Sequence, residues 1–302
     1  MRKVAAVFSV LLVLSLGLAG SFVVMTGTVE ADHTSNSPTD VVVVNASGGP
    51  GVTNTTIQAG VNHATPGDTV FVESETYEES VVVNKTDITI VTNESVTLNG
   101  STVTGPAFNV TSAEGNVSNV EIGGFSIANY GTGVAVDGVN STGDATLDMR
   151  NISVLNNTFQ DISGTAVSVD HDSGEFELVT IADNTIPNAS DGVSVSVANS
   201  VSTENVTVGN NSMGGEIDGS AVSLSAGGAT TLTDLNVVLN NGSASGTGLD
   251  VSLQDSASIT DINATANEFT STGGDAISLV TGSSTTGTAD ISNVEIGGNL
   301  LN

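Results

Sequence analysis

The sequence contains no cysteine and no tryptophan, and only 3% of its 302 residues are aromatic. Without cysteine there is no disulfide, no thiolate metal site and no cysteine nucleophile. Basic residues are almost as scarce, four against 33 acidic ones, for a formal charge of −29. Two of the four, Arg2 and Lys3, lie at the extreme N-terminus, which leaves Lys85 and Arg150 for the rest of the chain. A nucleic-acid partner is excluded, because binding one needs a basic face that displaces counterions. His33, His63 and His171 are scattered, so no transition-metal cluster forms from them. The few aromatics cannot make a sugar-stacking platform, and no phosphate-binding glycine loop occurs.

What is present points to salt and export. Carboxylates at this density repel one another in dilute buffer, whereas at multimolar salt the Debye length shrinks to about 3 Å and the repulsion is screened. The composition therefore reads as that of a haloarchaeal protein. Arg2 and Lys3 precede an apolar stretch from Val4 to Met25, the order of an export signal, and Val29-Glu30-Ala31 offers a cleavage site before Asp32. At about 20 residues the stretch is also long enough for a membrane anchor. Residues 1–31 are thus a signal peptide or an N-terminal anchor, the sole membrane contact if uncleaved. Residues 32–40, with Pro38, read as a polar linker and 41–302 as one elongated domain, extracellular or on the cell surface. Asn-x-Ser/Thr recurs at Asn45, Asn54, Asn84, Asn93, Asn99, Asn109, Asn116, Asn140, Asn151, Asn156, Asn188, Asn205, Asn210, Asn241 and Asn263. The excess fits either glycosylation or a composition suited to strands and turns.

The strongest signal is a repeat. Short alternating runs begin at Val134, Val167, Val193, Val222, Leu249 and Ile277, spaced 33, 26, 29, 27 and 28 residues apart. A second series, at Val120, Ile152, Val179, Val206, Ile262 and Val294, keeps step with it. An apolar residue follows each of these at a constant offset: Ile127, Phe159, Ile186, Met213, Phe269 and Leu301. Near Asn240-Asn241 the coil is degenerate, with Ser243 expected in that slot. Alternation buries one face of each run, and runs this short hold a core only when stacked. The expected fold is all-β, a single-stranded right-handed parallel β-helix with three strands per coil and about 27 residues per coil. Asn157, Asn184, Asn211, Asn267 and Asn299 recur between strand and apolar step. They are expected to turn the coil in left-handed geometry and to bond along the axis as amide ladders do.

The segment Thr56–Ala64, followed by Pro66-Gly67-Asp68, Val70 and Val72, and then Glu75–Val83, resembles the opening of many pectin-lyase-like β-helix proteins. Ile57, Val61 and Ala64 fall on one face of a short helix over about 55–64, placed to cap the N-terminal end of the stack. The resemblance spans about residues 54–302 and implies fold more than chemistry, since that superfamily includes lyases, hydrolases, esterases, adhesins and viral spikes. The chain stops at Asn302 part-way through a coil, so the domain is expected to be truncated there.

Stacking predicts where chemistry could gather. Asp137 falls beside Asp170, with Asp172 two residues on; Asp148 falls beside Glu175, and Arg150 beside Glu177 with Glu204 beyond. One interpretation has Asp148, Glu175, Glu177 and Asp172 holding Ca²⁺. A catalytic one has Asp137 and Asp170 as paired carboxylates with Arg150 as base or substrate clamp, as the resemblance to lyases implies. The plainer alternative pairs Arg150 with Glu177 on a solvated acidic face. The Arg- or Lys-rich groove of pectate lyases, and the His-Gly and Arg-x-Lys motifs of polygalacturonases, are missing. His171 either faces inward or lies at a turn. The expected function is an exported scaffold, adhesin or glycan-binding module without catalysis, its partner a polysaccharide or cell-surface glycan. The alternatives are a lyase or glycoside hydrolase acting on an acidic polysaccharide at the Asp137–Glu177 patch, or a spike, which would be trimeric.

Overall fold

A computed structural model describes residues 9–13, 24–28, 40–49, 52, 54–92, 95–113, 115–138, 148–172, 174–199, 201–284 and 287–302. Ser9–Val13 pairs antiparallel with Val24–Thr28; the expected cleavage site and the linker before Asp40 lie outside the described residues. No helix among the described residues is long and apolar enough to cross a membrane.

From Val41 onward the chain winds as a parallel β-solenoid of about nine turns, with ~28 residues per turn. Three strand positions recur in each turn. The first face stacks Val41–Val44, Thr69–Val72, Ile88–Val91, Val117–Gly123, Met149–Leu155 and their successors to Asp290–Gly297 in one parallel sheet of ten strands. The second carries short strands such as Ser126–Ala128, Thr158–Gln160 and Glu268–Ser271. The third runs from Val81–Val83 through Val134–Gly138 and Val222–Ala226 to Ile277–Thr281.

Alternation sets this arrangement. On the first face Val120, Ile152, Val179, Val206, Leu235 and Ile262 align in register and are at most 1% exposed. Burying such a side chain stabilises the fold by about 1.5–3 kcal/mol, while ordering each residue's backbone costs about 1–2 kcal/mol. A lone turn, with few inward residues among its ~28, cannot balance that cost. Stacked turns cover the inward side chains from both sides, whereas Val294 and Ile296 in the last described turn stay 40% and 47% exposed.

Corners are made by residues in left-handed geometry, which costs an ordinary L-residue about 1–2 kcal/mol and Asn or Asp less. One corner column holds Asn119, Asn151, Leu178, Asn205, Asp234, Asp261 and Asn293; the next holds Gly124, Asn156, Asp183, Asn210, Leu239, Ala266 and Gly298, all with positive φ. The turning residue is therefore Asn156 and its equivalents, one position before the asparagines expected to do it. Asn157, Asn184, Asn211, Asn240 and Asn267 point inward and are 1% exposed. Asn184 Nδ2 donates to the Val154 carbonyl at 2.9 Å and to Asn211 Oδ1 at 3.0 Å. Its Oδ1 accepts the Asn157 backbone N–H at 2.9 Å. The same pattern repeats through Asn299, so the ladder runs unbroken through the turn that looked degenerate. In that turn Gly242, not Ser243, occupies the apolar slot between Met213 and Phe269. A Cβ on Gly242 would lie 3.1 Å from Phe269 Cδ1 and 3.1 Å from Ala221 Cβ. The phenyl ring of the next turn takes the place of the missing side chain.

The helix Ile57–His63 closes the N-terminal end, with Ile57, Val61 and Ala64 buried as expected. The Thr56 hydroxyl accepts the Ala59 N–H at 3.1 Å, and the Glu79 carboxylate accepts those of Ile57 at 2.7 Å and Gln58 at 3.0 Å. At the other end Lys85 Nζ donates to the carbonyls of Asn62 at 2.7 Å and Ala64 at 2.6 Å. Each end of this seven-residue helix thus faces the charge that its dipole favours.

Asn211→Ala would remove the acceptor of the Asn184 backbone N–H, one of the two acceptors of Asn184 Nδ2 and the amide that donates to the Ile181 carbonyl, all inside the core. A loss of about 3 kcal/mol is expected, measured as a shift in denaturant midpoint in concentrated salt. A shift below about 1 kcal/mol would show that the ladder is not a stabilising element.

Candidate functional site

The predicted adjacencies along each column are present, on two faces. On the third face Asp137 pairs in register with Asp170, and Asp170 with Ser196. On the first face Arg150 pairs with Glu177, and Glu177 with Glu204. The residues named for catalysis are thus divided: Asp137 and Asp170 belong to one sheet and Arg150 to another. The connecting segment 139–147, needed as the wall of a groove, lies outside the described residues.

Arg150 is gripped by carboxylates. Its guanidinium contacts Glu175, lies 3.5 Å from Asp148 and has its Nε 3.8 Å from Glu177. Asp148 is itself fixed, since its Oδ1 accepts the Glu175 N–H at 3.0 Å and its own N–H donates to Asn116 Oδ1 at 3.0 Å. Three of the four acids considered for Ca²⁺ therefore converge on a guanidinium. Calcium requires about 6–8 oxygens at 2.3–2.6 Å, and a fixed positive charge among the donors repels it. Asp172, the fourth, lies beyond His171 on the third-face side. Among the described residues no three His, Asp or Glu side chains are grouped to hold a metal ion.

His171 faces inward and is fully buried, its ring stacked on Phe176 with centroids 4.8 Å apart and planes at 22°. Gly138, in register one turn before, makes room for it: a Cβ there would run into the imidazole. This histidine packs the interior and presents nothing to a ligand.

The carboxyl of Asp170 is pushed above the usual aspartate range, first by desolvation and then by the charges of Asp137 and Asp172, with a hydrogen bond to Ser196 opposing. Burial does the same to Glu121, which follows Thr89 and precedes Ser153 on the first face. Sequence reasoning missed Glu121, though its position as a carboxylate in a column of hydroxyls was visible. It also missed Glu79 and Lys85 as the groups bonded to the two ends of the helix, which no repeat could reveal because the helix interrupts the repeat.

Because folded Asp170 holds its proton to higher pH than the unfolded chain, folding takes up a proton in that interval and stability falls as pH rises through it. Asp170→Asn is expected to raise Tm at pH 7 in low salt by roughly 1–2 °C, with the gain vanishing below the ordinary aspartate range, near ~3.9. Equal Tm values at pH 7 would contradict this account. Comparison with family models, curated proteins and solved structures finds no match to this chain.

Proposed function

We propose that the chain is an exported, haloarchaeal, pectin-lyase-like β-helix that works outside the cell or on its surface as a non-catalytic glycan-binding module or scaffold. The observation that carries this reading is the outward side of the third face. There Ser168, Ser194, Ser223, Asp250 and Ser278 form one in-register column, and Asp170, Ser196, Ser225 and Ser252 form the next. Hydroxyls and carboxylates then repeat about every 4.8 Å along a rigid sheet. Such an array suits a repeating, hydroxyl-rich polymer better than a single small substrate. The side chains are short, so little conformational entropy is lost on contact.

The two bases outside the leader support the absence of turnover. Lys85 is committed to the helix carbonyls and Arg150 to Asp148, Glu175 and Glu177. A lyase needs a cation to hold the substrate carboxylate and a base for the adjacent proton, and here both candidates already serve the fold. The acidic charge and the basic-then-apolar N-terminus support export into brine.

In multimolar salt, the purified chain is expected to bind glycans or polysaccharides on an array without degrading them. Ser194→Tyr together with Ser223→Tyr should weaken that binding about tenfold, some 1.4 kcal/mol. Polysaccharide turnover that Arg150→Ala abolishes would replace this reading with the enzymatic one. Binding unaffected by the tyrosines would remove the third face from it.

A further inference from the structure

We infer that Asn210 and at least one of Asn151 and Asn205 carry N-linked glycans whose sugar rings cover Leu239 and Leu178, two leucines that the fold leaves exposed at its corners. The inference rests on export as proposed above. Among the described residues, every non-glycine corner with positive φ is Asn or Asp except Leu178, Leu239 and Ala266. Leu178 is 49% exposed and Leu239 60%. Neither gains from burial, and both bear the strain of left-handed geometry, so the fold alone gives no reason for leucine at either place.

Their neighbours supply one. Leu178 lies in the corner column between Asn151 and Asn205, and Leu239 follows Asn210 in the next column, each about one strand spacing, ~4.8 Å, away. All three asparagines begin an Asn-x-Ser/Thr triplet, with Ser153, Thr207 and Ser212 at the third position. Each asparagine is exposed, the middle residue (Ile152, Val206 or Asn211) is buried, and the hydroxyl again faces outward. In Asn151 and Asn205 the triplet lies within one strand, whereas Asn210 stands at the corner before the strand that Ser212 opens; in all three the amide and the hydroxyl lie on the solvent side of a buried middle residue. By contrast Asn54, in the triplet Asn54-Thr55-Thr56, is buried.

The reaction is transfer of an oligosaccharide from a lipid-phosphate-linked donor. The bond between the anomeric carbon and the phosphate oxygen breaks, a bond from that carbon to Asn Nδ2 forms, Nδ2 gives up one proton, and the lipid phosphate leaves. One hydrogen stays on Nδ2. That is enough to preserve the bonds from Asn151 to Asn119 Oδ1 at 2.8 Å and from Asn210 to Asp183 Oδ1 at 2.5 Å. The first sugar then stands beside the leucine, and the C–H face of a pyranose ring covers the apolar side chain.

The full chain would be expressed in a halophilic archaeal host that N-glycosylates exported proteins, once with its own leader and once behind a signal of that host. Glycopeptide mass spectrometry of the secreted protein is expected to find sugar on Asn210 and on at least one of Asn151 and Asn205. Either leucine left without a modified neighbour overturns the inference, as does sugar on the buried Asn54. Retention in the cell with its own leader, combined with modification behind the host signal, would sink the export reading alone. Removing the glycans should roughly double binding of an apolar dye, and a Leu178→Ser, Leu239→Ser variant should show no such rise. An unchanged signal on the unsubstituted chain would rule out the covering role.

Discussion

A polar group shut inside an apolar core without a partner costs about 1–3 kcal/mol, and a chain wound around a dry axis meets that cost at every corner. Here the inward carboxamides of Asn157, Asn184, Asn211, Asn240 and Asn267 meet it by bonding to the turn before and the turn after. Because each amide reaches a particular carbonyl and a particular N–H, the ladder fixes the register as well as satisfying the corner. A slip of one residue would carry the amides out to solvent and bring outward hydroxyls into the valine column. Core stacking and ladder therefore select the same alignment, and the strand order on all three faces follows from it.

The acidic composition is partly a consequence of the same geometry. Left-handed corners favour short polar side chains that can bond locally, and Asp87, Asp161, Asp183, Asp234, Asp255 and Asp261 all occupy such positions. Several are stacked against asparagines rather than against one another: Asn119 donates to Asp87 at 2.5 Å, Asn188 to Asp161 at 2.7 Å and Asn210 to Asp183 at 2.5 Å. Alternating amide with carboxylate turns a like-charge contact into a hydrogen bond. Asp234 and Asp261, in adjacent turns of one column, depart from this pattern. Thus part of the negative charge serves the corners of the coil.

Register was readable from the sequence because period-2 burial leaves its mark on valine and isoleucine. The column through Val134, Val167, Val193, Val222, Leu249 and Ile277 is the one the spacing predicts. Two details were not readable for physical reasons. Asn156 and Asn157 are the same residue type performing opposite tasks, one turning outward and one bonding inward, so composition could not separate them. Gly242 was passed over because the atoms filling its place belong to Phe269, a whole turn later. For the candidate site, stacking gave adjacency along a column but no information across faces. It foresaw Asp137 beside Asp170 and Arg150 beside Glu177, pairs that stand on two different sheets.

The scarce cations are both occupied by groups of the fold itself. Between Ile152 and Ile262 the first-face register advances by 27 to 29 residues per turn, whereas it advances by 32 from Ile88 to Val120, from Ile262 to Val294 and from Val120 to Ile152. Arg150 stands just after that longer excursion, where Asp148, Glu175 and Glu177 crowd together. Lys85 stands beside the helix, where its Nζ meets the Asn62 and Ala64 carbonyls. In a chain so poor in bases, Lys85 and Arg150 both hold groups of the fold, carbonyls at the helix end and carboxylates of neighbouring turns, which is the physical ground for assigning them to the fold before any substrate.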